Sequence, residues 1–255
     1  PSCEDSGLRS IYVSYIKPVR VDRCPSCYGM WLEKNELDTL LQDKQQLDNI
    51  KVEKSLKLLS ESNVMQVSSR TGTQLSVEIK NAPCRAGAGY LLPEEKVAYW
   101  PAGLALFFPL QNTVNGRVVL APGDVNLTFK RYFEDAVTLT IEDDFVTDIL
   151  GDGLDANLMR SYYEGWNDPN AYAISHVGWG LNQDARWDSL VMYDKQHING
   201  TELRAFAGNF LISTGANEFA NRHTNCHFDL PMRGCSIRLD DQEIVKDGKL
   251  TGPLA

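Results

Sequence analysis

The sequence has few histidines, four in 255 residues, and it lacks the features that mark membrane or nucleic-acid proteins. No apolar run approaches the roughly 18 residues of a membrane span, and the longest, Leu104 to Leu110, reads as a buried strand. No signal-peptide pattern opens the chain. There is no basic block, and the net charge is −9, so nucleic acid is not an expected partner. The six cysteines do not form a secreted disulfide framework, because three of them fall in the first 27 residues and two of those make a C-x-x-C. A reducing cytoplasm is therefore the expected compartment. No internal repeat or low-complexity segment is present. The chain begins Pro1-Ser2-Cys3 without an initiator Met, which reads as a fragment or a processed chain.

What is present divides near residue 45. In residues 1–45, Tyr12 to Ile16 and Val19 to Asp22 read as strands. The knuckle Cys24-Pro25-Ser26-Cys27 follows, then Trp31, Leu32, Leu37, Leu40 and Leu41 at helical spacing. Gln42 to Asn49 is polar and reads as a helix end or linker. Residues 46–255 begin with a second helical pattern, Val52, Leu56 and Leu59. Short β-rich runs with Gly and Pro turns come next, including Leu75, Val77 and Ile79 in strict alternation. Asp155 to Tyr163 and Pro169 to Ala173 look helical, and Ser236 to Val245 reads as a hairpin turning at Asp240-Asp241. The fold class is α+β, with a mixed, largely antiparallel sheet.

Of the four histidines, His227 stands in Cys226-His227-Phe228-Asp229-Leu230-Pro231. On a strand, residues two apart face the same way, so the imidazole of His227 and the carboxylate of Asp229 would enter one cavity. His176, in Ser175-His176-Val177-Gly178-Trp179-Gly180, sits in an apolar, glycine-rich run. Two imidazoles and a carboxylate make a facial triad with open positions for substrate and O₂. The spacing is equally compatible with a His and an Asp that merely satisfy each other in a core.

Residues from about 52 to 255 resemble the C-terminal part of the 2,5-dihydroxypyridine 5,6-dioxygenases. The resemblance rests on Thr71-Gly72-Thr73, Trp100 to Ala105, Ile174 to Asn182, Gly208 to Gly215 and Cys226 to Arg233, in that order. It implies a ring-cleaving oxidoreductase with a mononuclear Fe(II) site built from His176, His227 and Asp229. Its expected partners are a small aromatic substrate and O₂, in a homo-oligomer. Tyr99 and His223 are the candidates for the acid–base group. Trp100, Trp179 and Phe210 are the candidates for stacking on the ring, with ordinary core packing as the competing reading for each. Where the family carries histidines ahead of Trp-Pro-Ala-Gly, this chain has Lys96, Val97, Ala98 and Tyr99. His197 reads as a loop residue without a role.

The same scaffold resembles the thermophilic-type leucyl aminopeptidases, which bind two metals. Leu104 and Leu211 fall where those peptidases place ligands, so a dinuclear hydrolytic site is disfavoured. The first 45 residues resemble a transcription-factor-IIB-type zinc ribbon. That resemblance implies Zn on Cys3, Cys24 and Cys27, one ligand short of a closed Cys₄ site. A non-catalytic zinc-ribbon fusion is therefore the third functional alternative.

Overall fold

The computed structural model describes residues 9–14, 18–23, 25, 30–89 and 101–255. Cys3, Cys24, Cys27, Tyr99 and Trp100 lie outside the described residues. The chain forms two compact units, Pro1–Ile50 and Lys51–Ala255.

The first unit contains the antiparallel strands Arg9–Ser14 and Pro18–Arg23, with the short strand Met30–Trp31 paired to the second. A helix follows, Lys34–Glu61, whose residues beyond 50 belong to the second unit. The Glu36 carboxylate accepts from the Glu33 backbone N–H at 2.8 Å, which is the reciprocal arm of a capping box. Gln42–Asn49, expected as a helix end or linker, lies within this helix. The reason is local: from Lys34 to Glu61 there is no Gly or Pro, and Leu, Lys, Gln and Glu are good helix formers.

The second unit is built on two antiparallel sheets. The larger has eight strands and includes Val64–Ser69, Gln74–Glu78, Val114–Leu120, Val137–Glu142 and Cys235–Leu239. The smaller has five, in the order Arg222–Met232, Phe210–Asn217, Ile174–Gly180, Leu104–Phe107 and Cys84–Gly87. The ladders are antiparallel, and parallel contacts among the described residues are isolated bridges such as Gly180 with Ala207. The expected hairpin is present, with Asp240 at φ +48° between Cys235–Leu239 and Gln242–Lys246. Pro169–Tyr172 is a short 3₁₀ turn capped by the Asp168 side chain. No helix among the described residues is long and apolar enough to cross a membrane.

Strand alternation decides what each face of the five-stranded sheet does. One face presents Phe107, Val177, Trp179, Phe210, Ile212, Phe228 and Leu230, all buried in a single apolar cluster with residues of the larger sheet. The helix Leu154–Trp166 packs on this face: Tyr163 stacks on Phe228 at 5.2 Å, and its hydroxyl meets the Thr214 hydroxyl at 2.7 Å. The opposite face carries His176, Ser213, His227 and Asp229. Glycine is required on that face at two points. A Cβ on Gly178 would lie 2.2 Å from the Ala105 carbonyl oxygen, and Gly215, at φ +119°, would drive one into the Cys226 carbonyl oxygen at 2.1 Å.

Candidate metal centre

His176 comes from the middle strand of the small sheet, while His227 and Asp229 come from its outer strand. One potential ligand atom from each of the three lies within 4.8 Å of the others. His176 Nε2 stands 3.4 Å from Asp229 Oδ1, and His227 Nε2 stands 3.2 Å from Asp229 Oδ2. The two imidazole rings lie 5.4 Å apart at 27°, so both present Nε2 to the same carboxylate. Asp229 and His176 are buried, whereas the His227 side chain is 52% exposed. The cluster therefore has a closed floor and an open side.

The two carboxylate oxygens of Asp229 are in different states. Oδ2 accepts from Arg204, with Nε at 2.8 Å and a second guanidinium nitrogen closer still. Oδ1 is buried and has no hydrogen-bond partner among the described residues, with His176 Nε2 standing 3.4 Å away. Burial pushes the Asp229 carboxyl up, but His176, His227 and the Arg204 charge outweigh it and hold the group well below the usual carboxylate range. An ionised carboxylate with a vacant, buried lone pair between two imidazoles fits a metal cation.

Neighbouring residues fix these side chains. The Ser175 hydroxyl donates to the Ala216 carbonyl at 2.5 Å, which leaves its lone pairs toward His176 Nδ1 at 3.4 Å. With the Nδ1 proton facing Ser175, Nε2 would be free to hold a metal ion in place of its contact with Asp229. Arg204 lies on the helix Thr201–Ala205, whose Leu203 is buried in a second small cluster with Val125, Leu127, Trp187 and Leu190. The buried Asn209 side chain donates to the carbonyls of Leu203 and Arg204 and accepts from the Gly180 N–H at 2.6 Å. It thereby ties Arg204 to the strand that carries His176. Beside His227 and Asp229 opens a pocket of about 180 Å³, lined also by Leu127, Lys130, Ile198 and Arg204. This is room for a small ligand rather than a drug-sized one.

A family of 2,5-dihydroxypyridine 5,6-dioxygenases matches residues 32–252. The chain belongs to this dioxygenase family. A curated member from Pseudomonas putida, named 2,5-dihydroxypyridine 5,6-dioxygenase, is 37% identical over 198 residues, 77% of this chain and 56% of the relative. The chain thus spans little more than half the length of that relative. A solved structure of 2,5-dihydroxypyridine dioxygenase from Pseudomonas putida superposes with a TM-score of 0.76 at 32% identity, over 89% of this chain and 71% of that one. Residues 1–43 match a transcription-factor zinc-finger family of the TFIIB type.

Some of the dioxygenase-like candidates do not reach the site. Trp179 and Phe210 lie on strands, but they stand opposite each other on the core face and are fully buried. His176 and Trp179 are three apart on a strand, so they point to opposite sides of the sheet. Stacking on a substrate is therefore closed to both aromatics, and packing takes their rings. His223 is exposed at the start of the outer strand, where its carbonyl accepts from Asn170 at 3.3 Å, and it is not part of the ligand cluster. Sequence reasoning missed Arg204, Asn209, Ser175 and Ser213. Asn209, Ser175 and Ser213 fell inside segments that carry the family resemblance, and Arg204 had no periodic or motif signal of its own.

Proposed function

We propose that this chain holds one non-haem Fe(II) ion on His176, His227 and Asp229 and uses it in the cleavage, with O₂, of a hydroxylated pyridine or related aromatic ring. The observation that carries the proposal is the convergence of His176, His227 and Asp229, whose ligand atoms lie within 4.8 Å of one another, with the buried Asp229 Oδ1 unpaired among the described residues beside His176 Nε2. The printed activity of the P. putida relative, at 37% identity, supports the substrate class. Bound there, iron supplies open coordination positions and the one-electron chemistry that lets O₂ react with an electron-rich ring.

The protein's own residues have definable tasks. Arg204 donates to Asp229 Oδ2 and, after His176 and His227, helps hold the carboxyl below its usual range, which leaves Oδ1 as the oxygen without a hydrogen bond among the described residues. Ser175 holds the His176 tautomer, and His227 lies at the accessible edge where an exogenous ligand enters. Leu104, Leu106 and Leu211 share the face of the triad by strand register and give the site a water-poor flank. Those leucines also weigh against the aminopeptidase alternative. Leu104 and Leu211 reach the correct face but offer no donor atom, so ligands for a second ion are missing there. The aminopeptidase-like scaffold is then a shared frame with different chemistry.

For the N-terminal unit we propose a zinc-ribbon-like module over residues 1–45, with Cys3, Cys24 and Cys27 as its metal-binding thiols and residues 46–255 as the oxygenase part. The free thiols Cys84, Cys226 and Cys235 agree with a reducing cytoplasm. The function is tested by anaerobic loading with Fe(II), metal analysis, and oxygen uptake with dihydroxypyridines and catechols. One iron per oxygenase part and substrate-dependent uptake are expected. Two divalent ions with peptide hydrolysis, or no uptake with any hydroxylated ring, would overturn the proposal.

A further inference from the structure

Ser213 lies directly beneath the proposed metal centre, in one row of the sheet with two of its three candidate ligands. It is the register partner of His176 on one side and of Asp229 on the other. Register partners in antiparallel strands point to the same face, so all three side chains rise from one row of the sheet. His176 and Asp229 start two strands apart, roughly 10 Å at the backbone. Their tips nevertheless meet at 3.4 Å, between His176 Nε2 and Asp229 Oδ1. The imidazole and the carboxylate therefore arch over Ser213, and only a small side chain fits under the arch.

The second observation is electrostatic. Ser213 is fully buried, and its Oγ has no hydrogen-bond partner among the described residues. A buried hydroxyl left unpaired costs stability. On the neighbouring strand positions the hydroxyls are paired, Ser175 with the Ala216 carbonyl and Thr214 with Tyr163, while Trp179 Nε1 on the core face and the Ser55 and Ser189 hydroxyls elsewhere are also unpaired. The other unpaired buried oxygen in this row is Asp229 Oδ1. Two unsatisfied polar atoms in adjacent positions of one row, with two imidazoles above them, describe a site whose hydrogen bonding is completed from outside the chain.

We infer that Ser213 is a positioning residue of the metal centre, its small side chain admitting the His176–Asp229 arch and its hydroxyl donating to the oxygen ligands assembled there when a metal ion binds. This rests on the reading of His176, His227 and Asp229 as metal ligands. It adds that the hydroxyl is idle in the metal-free fold and engaged in the loaded one. Removing it is then cheap for folding and costly for the metal.

The test is titration of the full chain, free of metal, with cobalt(II), following visible d–d bands and dissociation constant, beside the melting temperature of the metal-free protein. For Ser213→Ala the inference predicts about tenfold weaker cobalt binding, an altered band pattern and an unchanged or raised melting temperature. Ser213→Val, which fills the arch, is predicted to lose the cobalt bands while keeping the far-ultraviolet circular dichroism of the parent. A Ser213→Ala protein with parental affinity and bands would overturn the inference and leave the metal reading standing. So would a lowered melting temperature of its metal-free form, since the hydroxyl would then have a partner within the fold. A parent chain that binds no cobalt through these residues, with His227→Ala indistinguishable from it, would overturn the metal reading itself and this inference with it.

Discussion

Two buried aspartates, each facing an arginine, are treated in opposite ways by this fold. Asp144 is fully buried in a turn at φ +77°. Its Oδ1 accepts from the N–H groups of Thr113 at 2.8 Å and Val114 at 2.7 Å, and its Oδ2 from Asn112 and from Arg222. Arg222 in turn donates to the Ile174 carbonyl and lies over the Phe145 ring at 5.1 Å. Every acceptor site on that carboxylate is used, and the pair ties a turn of the eight-stranded sheet to the outer strand of the five-stranded one. Asp229 has its arginine too, but only on Oδ2, and Oδ1 is left open toward His176. The closed pair is a structural pin. The open pair keeps a charge available for a ligand, at a cost that the rest of the domain offsets.

The sharpest way to break this comparison is to remove one partner from each pair. Arg222→Ala is expected to destabilise the fold by about 3–5 kcal/mol, because it strands a buried carboxylate. Chemical denaturation of the metal-free protein measures it. A loss below about 1 kcal/mol would mean the pin is not structural. Trp179→Ala, on the core face, is expected to cost about 3–5 kcal/mol as well. The folded fraction should still bind one metal per chain with parental affinity. Loss of metal at unchanged stability would return Trp179 to the site.

Arg204→Ala is expected to behave in the reverse manner. Its side chain is 23% exposed and Asp229 retains His227, so the fold should lose far less than with Arg222→Ala. Metal affinity should fall by about 10–100-fold, the usual consequence of losing a group that orients a ligand. Competition with a chelator of known affinity reads this directly. The smallest effect belongs to His223→Ala, which should leave stability, metal content and oxygen uptake within error of the parent. A fall in uptake at full metal content would restore His223 as the acid–base group.

Parts of this comparison were legible in the residues alone. His227 and Asp229 could be paired from their spacing, since a two-residue offset on a strand fixes a common face. His176 was a candidate from its apolar, glycine-rich run, and the family resemblance favoured it as a ligand, because nothing local distinguishes a ligand from a satisfied core histidine. The same parity rule excludes Trp179, three residues from His176, and Phe210, three from Ser213, once Ile174–Gly180 and Phe210–Asn217 are recognised as strands. Those segments are apolar on both faces and show no alternation, so the sequence reading left them unassigned as strands. At Gln42–Asn49 polarity allows a helix end or a linker, and the absence of breakers is the better guide to a helix that continues through it. Arg204 and Asn209 act across 25 and 29 positions of chain, on Asp229 and Gly180 respectively, and such contacts leave no periodic trace.

The most direct measurement is diffraction from crystals of the metal-loaded chain at the absorption edge of the bound ion. The account predicts one anomalous peak in the oxygenase part, in contact with His176 Nε2, His227 Nε2 and Asp229 Oδ1, with Arg204 still on Asp229 Oδ2. A pair of peaks in this part, or a single peak that leaves Asp229 Oδ1 without a partner, would contradict it.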